Sequence, residues 1–201
     1  KFKDKYTGTF GTGCFSFFPT KNITTTEGGM MTTDKIKIYH KAKKIIAHGI
    51  DKNKKKNFWN REAILPGHNY RMPNHLAALG LSQLKKLQSF NKKRQKIAKL
   101  YSEKLDFLAP HIKTPKIPKE CTHSFQMYTI TIKKFLRNKL LYYLKSKEIE
   151  ASAHFDPPLH KQKYLKKYIR NDLENTNKLS DEILTLPIYP SMKKKETMYV
   201  I

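Results

Sequence analysis

Residues 14–33 read CFSFFPTKNITTTEGGMMTT, and their reading decides the fold because they seat one lysine, Lys21, between an aromatic run and a glycine pair. Phe15, Phe17 and Phe18 precede Lys21, Pro19 stiffens the approach, and Gly28-Gly29 allow a tight turn or the close approach of a ligand. A lysine held against apolar surroundings is penalised for carrying its charge, so its amine is more readily neutral and able to attack a carbonyl carbon. Ser16 lies five positions before Lys21, and the hydroxyls of Thr20, Thr24, Thr25 and Thr26 surround it, so phosphate-binding donors stand next to the candidate amine. The alternative reading of the same residues is a buried strand with a solvated lysine.

Working outward, HNYRM occupies 68–72 and leads into a helical pattern from Pro73; HSFQMY occupies 123–128, HFDPPLH 154–160 and LTLPIYPSM 184–192. The whole series resembles the DegT/DnrJ/StrS family of pyridoxal-phosphate-dependent sugar aminotransferases. In that family's cofactor-lysine motif a Ser-Phe pair, a Lys-Asn pair and a Glu-Gly-Gly turn follow in order. Here they are Ser16-Phe17, Lys21-Asn22 and Glu27-Gly28-Gly29. Several spaced motifs in the right order extend the resemblance over nearly the whole chain.

The resemblance implies an α/β fold, the aspartate aminotransferase arrangement known as fold type I. Residues 1–72 would be the C-terminal part of the large cofactor-binding domain, 73–105 a long connecting helix, and 106–201 a small C-terminal α/β domain. In the family the lysine falls near the middle of a much longer chain, which implies that these residues are the C-terminal half of such an enzyme. The aspartate that pairs with the pyridine nitrogen, the group that stacks on the ring and a first phosphate-binding turn would then belong to the other half.

The resemblance also implies roles. Lys21 would be the catalytic residue, holding pyridoxal 5'-phosphate through a Schiff base and then shuttling a proton as general acid and base. Ser16 would bind the cofactor, as would Asn69, reaching from the partner subunit of a homodimer to the cofactor phosphate. Arg71 would hold a carboxylate of the amino donor, a role its planar fork suits, although a structural salt bridge explains it equally well. His154 and Phe155 would contact a nucleotide-linked keto-deoxy sugar, with glutamate as donor. The sugar dehydratases, a related branch, carry histidine in place of the lysine, so Lys21 argues for amino transfer in aminosugar or polysaccharide biosynthesis. Without its other half the chain is alternatively a catalytically incomplete remnant.

Composition narrows the alternatives. Hydrophobic residues make up 38% and charged residues 28% of 201 positions, which is compatible with globular folding at its polar end. Two cysteines, Cys14 and Cys121, far apart, make a disulfide framework unexpected and a reducing cytoplasm expected. No apolar run is long enough to cross a membrane, and the first residues have no apolar signal core.

A net charge of +25 raises a different class of function, a nucleic-acid-binding module. Five arginines against 36 lysines argue against specific base readout, for which arginine is preferred, and the clusters Lys54-Lys55-Lys56 and Lys193-Lys194-Lys195 are short. A solvated lysine surface that favours anionic substrates explains the charge more simply. His154, Asp156 and His160 invite a metal site, but Pro157-Pro158 between them precludes one helical face, and no third strong ligand or cysteine stands near.

The remaining pattern predicts a strand leaving the Gly-Gly turn over 30–33, a helix capped by Asp34 and closed near His48-Gly49, and a polar connection over 50–66 carrying Trp59. From Pro73 to Leu105 the apolar spacing predicts a long helix bent near 89–91. Strand 125–132, helix 135–147 and strand 149–155 complete the small domain, with His123 and Tyr128 expected in packing or beside the cofactor.

Overall fold

A computed structural model of the chain describes residues 1–51, 57, 59–169 and 172–201. The Lys54-Lys55-Lys56 cluster lies outside them. Two compact units emerge: residues 1–87 with 120–122, and residues 88–119 with 123–201.

The first unit begins with an antiparallel hairpin of β1 (Gly13–Ser16) and β2 (Gly29–Thr32), in which Cys14 faces Met31, Phe15 faces Met30 and Ser16 faces Gly29. The long connection between them carries Lys21. Helix α1 (Ile36–Ile45) follows, capped one residue later than expected: Lys35 is the N-cap, and its N–H donates to Thr33 Oγ1 at 3.2 Å. The backbone turns back at Gly49, whose φ of +74° suits glycine and whose N–H donates to the Lys44 carbonyl at 2.8 Å.

Segment 67–72 then lies along the end of α1. The N–H groups of His68 and Tyr70 donate to the carbonyls of Ile45 and Ile46 at 2.7 and 3.1 Å, while the His48 N–H donates to the His68 carbonyl at 3.0 Å. Carbonyls left without partners at a helix end are thereby satisfied.

The single helix expected over 73–105 is two helices, α2 (Asn74–Leu84) and α3 (Leu87–Leu105). At the junction the Lys86 N–H donates to Gln83, three residues back, at 2.9 Å, so the four-residue ladder tightens into a turn at Lys85-Lys86 rather than bending near 89–91.

The second unit is built on a three-stranded antiparallel sheet ordered β3 (Ile112–Lys113), β4 (Tyr128–Ile132) and β5 (Ile183–Leu186). Tyr128, Ile130 and Ile132 alternate into the interior from β4, as period-two spacing requires. Helix α3 supplies Ile97, Ala98, Tyr101 and Leu105 at helical spacing, and these join Leu144, Ile149, Leu184, Leu186 and Met192 in one core. The rings of Tyr101 and Tyr128 pack 5.0 Å apart.

Buried Arg94 ties the ends of this core together: its Nη1 donates to the carbonyls of Phe125, Gln126 and Ile188 at 3.2, 3.2 and 2.7 Å. Helices α4 (Lys134–Ser146), α5 (Glu174–Glu182) and α6 (Lys194–Val200) complete the unit.

The strand expected over 149–155 reduces to one bridge, Ser152 with Thr185. The second partner of β4 is instead β5, whose Leu184, Thr185 and Leu186 are all buried and so show no alternation in sequence.

Candidate active site

The loop from Phe17 to Gly28 folds on itself. The Phe17 N–H donates to the Gly28 carbonyl at 2.9 Å, closing the hairpin, and the Phe17 carbonyl accepts from the Thr25 N–H at 3.0 Å and the Thr24 hydroxyl at 2.8 Å. Within this frame the Lys21 N–H donates to the Phe18 carbonyl at 3.0 Å, a turn that leaves the lysine half-buried at its apex.

Thr25 is the keystone. Only 1% exposed, it donates its hydroxyl to the Glu27 carbonyl at 2.8 Å. A Cβ built at Gly80 of α2 would lie 2.9 Å from Thr25 Cγ2, so a bare helix backbone is what lets the loop seat this closely.

Gly28, at φ +144°, has no room for a side chain, because a Cβ there would meet Thr25 Oγ1 at 2.7 Å and Met72 Cε at 2.9 Å. Met72 ends the HNYRM segment, so that segment meets the Glu-Gly-Gly turn directly.

The structure divides the threonine hydroxyls expected to serve a phosphate. Those of Thr24, Thr25 and Thr26 donate to the carbonyls of Phe17, Glu27 and Thr25, and Thr24 Oγ1 also accepts the Thr26 N–H at 2.8 Å. They are spent on shaping the loop. Ser16 differs, since its Oγ accepts the Phe18 N–H at 3.3 Å, a bond that uses the oxygen and not the hydroxyl proton. An exposed hydroxyl donor therefore remains on the strand that leads into the lysine loop.

Asn69 and Arg71 alternate with His68 and Tyr70 along an extended segment. The two aromatic rings stack 4.7 Å apart, and Arg71 Nε donates to Asn69 Oδ1 at 3.5 Å. Using Oδ1 as acceptor leaves the Asn69 amide NH2 as donor, the polarity an anion requires. Both residues are exposed, and the Arg71 Nη groups carry the rest of its fork.

His154 and Phe155 belong to the second unit. His154 Nδ1 lies 2.9 Å from Ser152 Oγ and 3.1 Å from Thr185 Oγ1, which leaves Nε2 as its other nitrogen, and the Phe155 ring is exposed. The residues weighed for a metal take separate partners: Asp156 pairs with Arg137, and His160 Nε2 lies 2.7 Å from Asn177 Oδ1. Among the described residues no group of three or more His, Cys, Asp and Glu could hold a metal ion. Tyr128 is core, its hydroxyl 2.8 Å from Ser102 Oγ and its phenol pushed up by burial. His123 caps a local turn, its Nδ1 accepting the Phe125 N–H at 3.1 Å.

Sequence reasoning missed the roles of Thr25, Arg137 and β5. Only the helical glycine Gly80 hinted at close packing.

A lysine loop closed by a Glu-Gly-Gly turn and continued by HNYRM matches a family model over residues 1–201, that of the DegT/DnrJ/EryC1/StrS aminotransferases. The chain belongs to this family. Among its relatives it is 37% identical to the uncharacterized protein MJ1066 of Methanocaldococcus jannaschii, over 100% of this chain and 55% of that protein. It is 32% identical to the GDP-perosamine synthase of Escherichia coli O157:H7, over 100% of this chain and 53% of the synthase. Among solved structures, an E. coli GDP-4-keto-6-deoxy-D-mannose-3-dehydratase with bound hydrated pyridoxal phosphate superposes at a TM-score of 0.88 and 29% identity, covering 100% of this chain and 56% of that one. The chain thus spans about half the length of the family members it matches.

Proposed function

We propose that this chain serves a pyridoxal-phosphate-dependent aminotransferase that moves an amino group from glutamate to a nucleotide-linked keto-deoxy sugar, acting in the cytoplasm as a homodimer. The observation that carries the reading is the Lys21 loop, a half-buried lysine on a closed turn with the Ser16 hydroxyl on the strand that leads into it. This donor set fits the cofactor, because an amine condenses with an aldehyde and a hydroxyl donates to a phosphate dianion. Lys21 would hold the aldehyde carbon, and Ser16 with the partner subunit's Asn69 would hold the phosphate. The cofactor supplies the aldehyde that takes up the amino group and the ring that draws electrons from the reacting carbon.

Each residue then has a defined task. Lys21 Nζ would take the proton from the substrate carbon and return it on the other side of the transfer, acting as base and then acid. The Arg71 fork holds the donor's carboxylate through its Nη groups while Asn69 orients its Nε. His154 and Phe155 face the nucleotide sugar. A net charge of +25 favours such a diphosphate.

The lysine also separates amino transfer from the dehydration for which the structural neighbour is named, since a retained amine is required to return the proton. The test is transfer from glutamate to GDP-4-keto-6-deoxy-mannose by the full-length protein, followed as 2-oxoglutarate. Lys21→Ala is expected to slow it by about a hundredfold to ten-thousandfold, the share of a positioned acid and base. Undiminished transfer in that variant would remove Lys21 from the mechanism.

A further inference from the structure

The loop from His154 to His160 is held from several sides. His154 Nδ1 meets Ser152 and Thr185, the Phe155 carbonyl accepts the Ser180 hydroxyl at 2.9 Å, Gln162 Nε2 donates to the Pro157 carbonyl at 3.0 Å, and His160 meets Asn177. Among the described residues its one ionic tie is Asp156 Oδ2 to Arg137 Nη2 of α4 at 2.8 Å. That pair is lopsided: the Arg137 side chain is 4% exposed and that of Asp156 is 44% exposed. Arg137 Nε is buried and has no hydrogen-bond partner among the described residues.

A guanidinium taken out of water with so few partners is a poor source of stability in itself. Its placement is explained by what it grips. Asp156 is the only acid of the loop and follows Phe155, whose φ of +60° is uncommon for an aromatic residue. A residue keeps such a conformation only where its surroundings over-determine it. Here the Ser180 hydroxyl holds the carbonyl of Phe155, and Arg137 holds the side chain of the next residue. The result is an exposed phenyl ring on a backbone that cannot relax.

We propose that Arg137 is a positioning residue: through Asp156 it locks the left-handed turn at Phe155 and so presents the Phe155 ring and His154 as a preformed face for the nucleotide sugar. The inference rests on the reading of His154 and Phe155 as substrate-facing. The rigid loop saves the ordering entropy that a mobile one would lose on binding.

Hydrogen–deuterium exchange of the full chain tests the lock without any ligand. Arg137→Met is expected to speed exchange of the amides at 161 and 162, which donate to the Pro158 and Leu159 carbonyls, by roughly tenfold to a hundredfold, the equivalent of one lost charge-assisted hydrogen bond, while β4 and β5 exchange unchanged. Arg137→Lys, which keeps the charge but not the fork, should restore part of the protection. Unchanged exchange in the loop, or equal acceleration throughout the unit, would overturn the proposal, the second by making Arg137 merely structural.

GDP-mannose serves as the probe in the ligand arm. It should slow exchange of the loop in the parent chain and slow it less in Arg137→Met, and adding Arg137→Met to Phe155→Ala should weaken the ligand's protection no further than Phe155→Ala alone. Absence of slowing in the parent chain would overturn the substrate-facing reading of His154 and Phe155, whatever the ligand-free result says of the lock. Independent, multiplying losses in the double variant would show that Arg137 does not act through Phe155.

Discussion

Tyr101, Tyr128 and Leu184 of the second unit are fully removed from water, whereas Ile36 and Leu81 of the first are 63% and 64% exposed, and Phe15, Phe18, Met30 and Met31 are exposed with them. The hydrophobic core cluster draws all its members from the second unit. The first unit keeps its shape by other means: backbone ties between α1 and 67–72, a self-bonded loop, and close approaches that only glycine permits at Gly28, Gly49 and Gly80. Apolar faces of that extent are suited to being covered by more protein, and burial there would add about 25 cal/mol for each Å² covered. The difference teaches that Lys21, Ser16, Asn69 and Arg71 sit on the region that needs such cover. His154 and Phe155 sit on the region that carries the core, although it too exposes large apolar side chains such as Phe107, Phe135 and Tyr142.

The sharpest way to break the comparison is a pair of truncations read by urea denaturation. Leu184→Ala should cost about 2–5 kcal/mol, because it empties a site the packed sheet cannot refill. Leu81→Ala should change stability by less than about 0.5 kcal/mol, because water already reaches that side chain. Equal losses would show that the first unit buries a core after all.

Next in size is Gly28→Ala. Its φ of +144° and its contacts with Thr25 and Met72 make a methyl group cost about 1–3 kcal/mol of local strain. Exchange should quicken across residues 13–32 while the second unit holds its melting temperature, and joint melting would merge the two regions.

Alkaline pH sharpens the contrast from the other side. Burial pushes up the phenols of Tyr101 and Tyr128, so the unfolded chain loses these protons first. Their contribution is complete below the ordinary tyrosine value of 10.0 and is lost as pH rises beyond it toward the folded values. Tyr128→Phe should flatten this alkaline decline as followed by circular dichroism. An unchanged slope would place the titrating groups elsewhere.

The smallest effect belongs to Asp181, whose hydrogen bond from Lys134 at 2.8 Å holds its carboxyl below the usual range. Its contribution is present above the ordinary value of 3.8 and fades as pH falls through the lowered one. Because the pair is exposed and screened, Asp181→Asn should cost only about 0.2–1 kcal/mol at low salt and less at high salt. A loss insensitive to salt would contradict a surface pair.

Legibility followed the range of the interactions. The family motif formed by Ser16-Phe17, Lys21-Asn22 and the Glu-Gly-Gly turn could be read because its residues lie close in sequence, and the apolar spacing of α3 and β4 was plain. Asp34 was misread as a cap because the neighbouring Thr33 offers a competing hydroxyl. Thr24, Thr25 and Thr26 looked like ligand donors because sequence cannot tell where a hydroxyl proton goes. The break at Lys85-Lys86 had no glycine or proline to mark it, and β5 was hidden by burial on every residue from Leu184 to Leu186. Arg137 and Asp156 lie 19 positions apart on a helix and a loop, with nothing local to link them.

By itself the sequence determined the family and the order of its motifs around Lys21, because each depends on residue types at short spacing. Only the tertiary structure decided which hydroxyls remain donors, that Met72 and Thr25 close the lysine loop over a bare Gly28, and that a buried arginine grips the Phe155 turn. Those outcomes depend on contacts between distant segments, and their strength is set by burial, which no local stretch encodes.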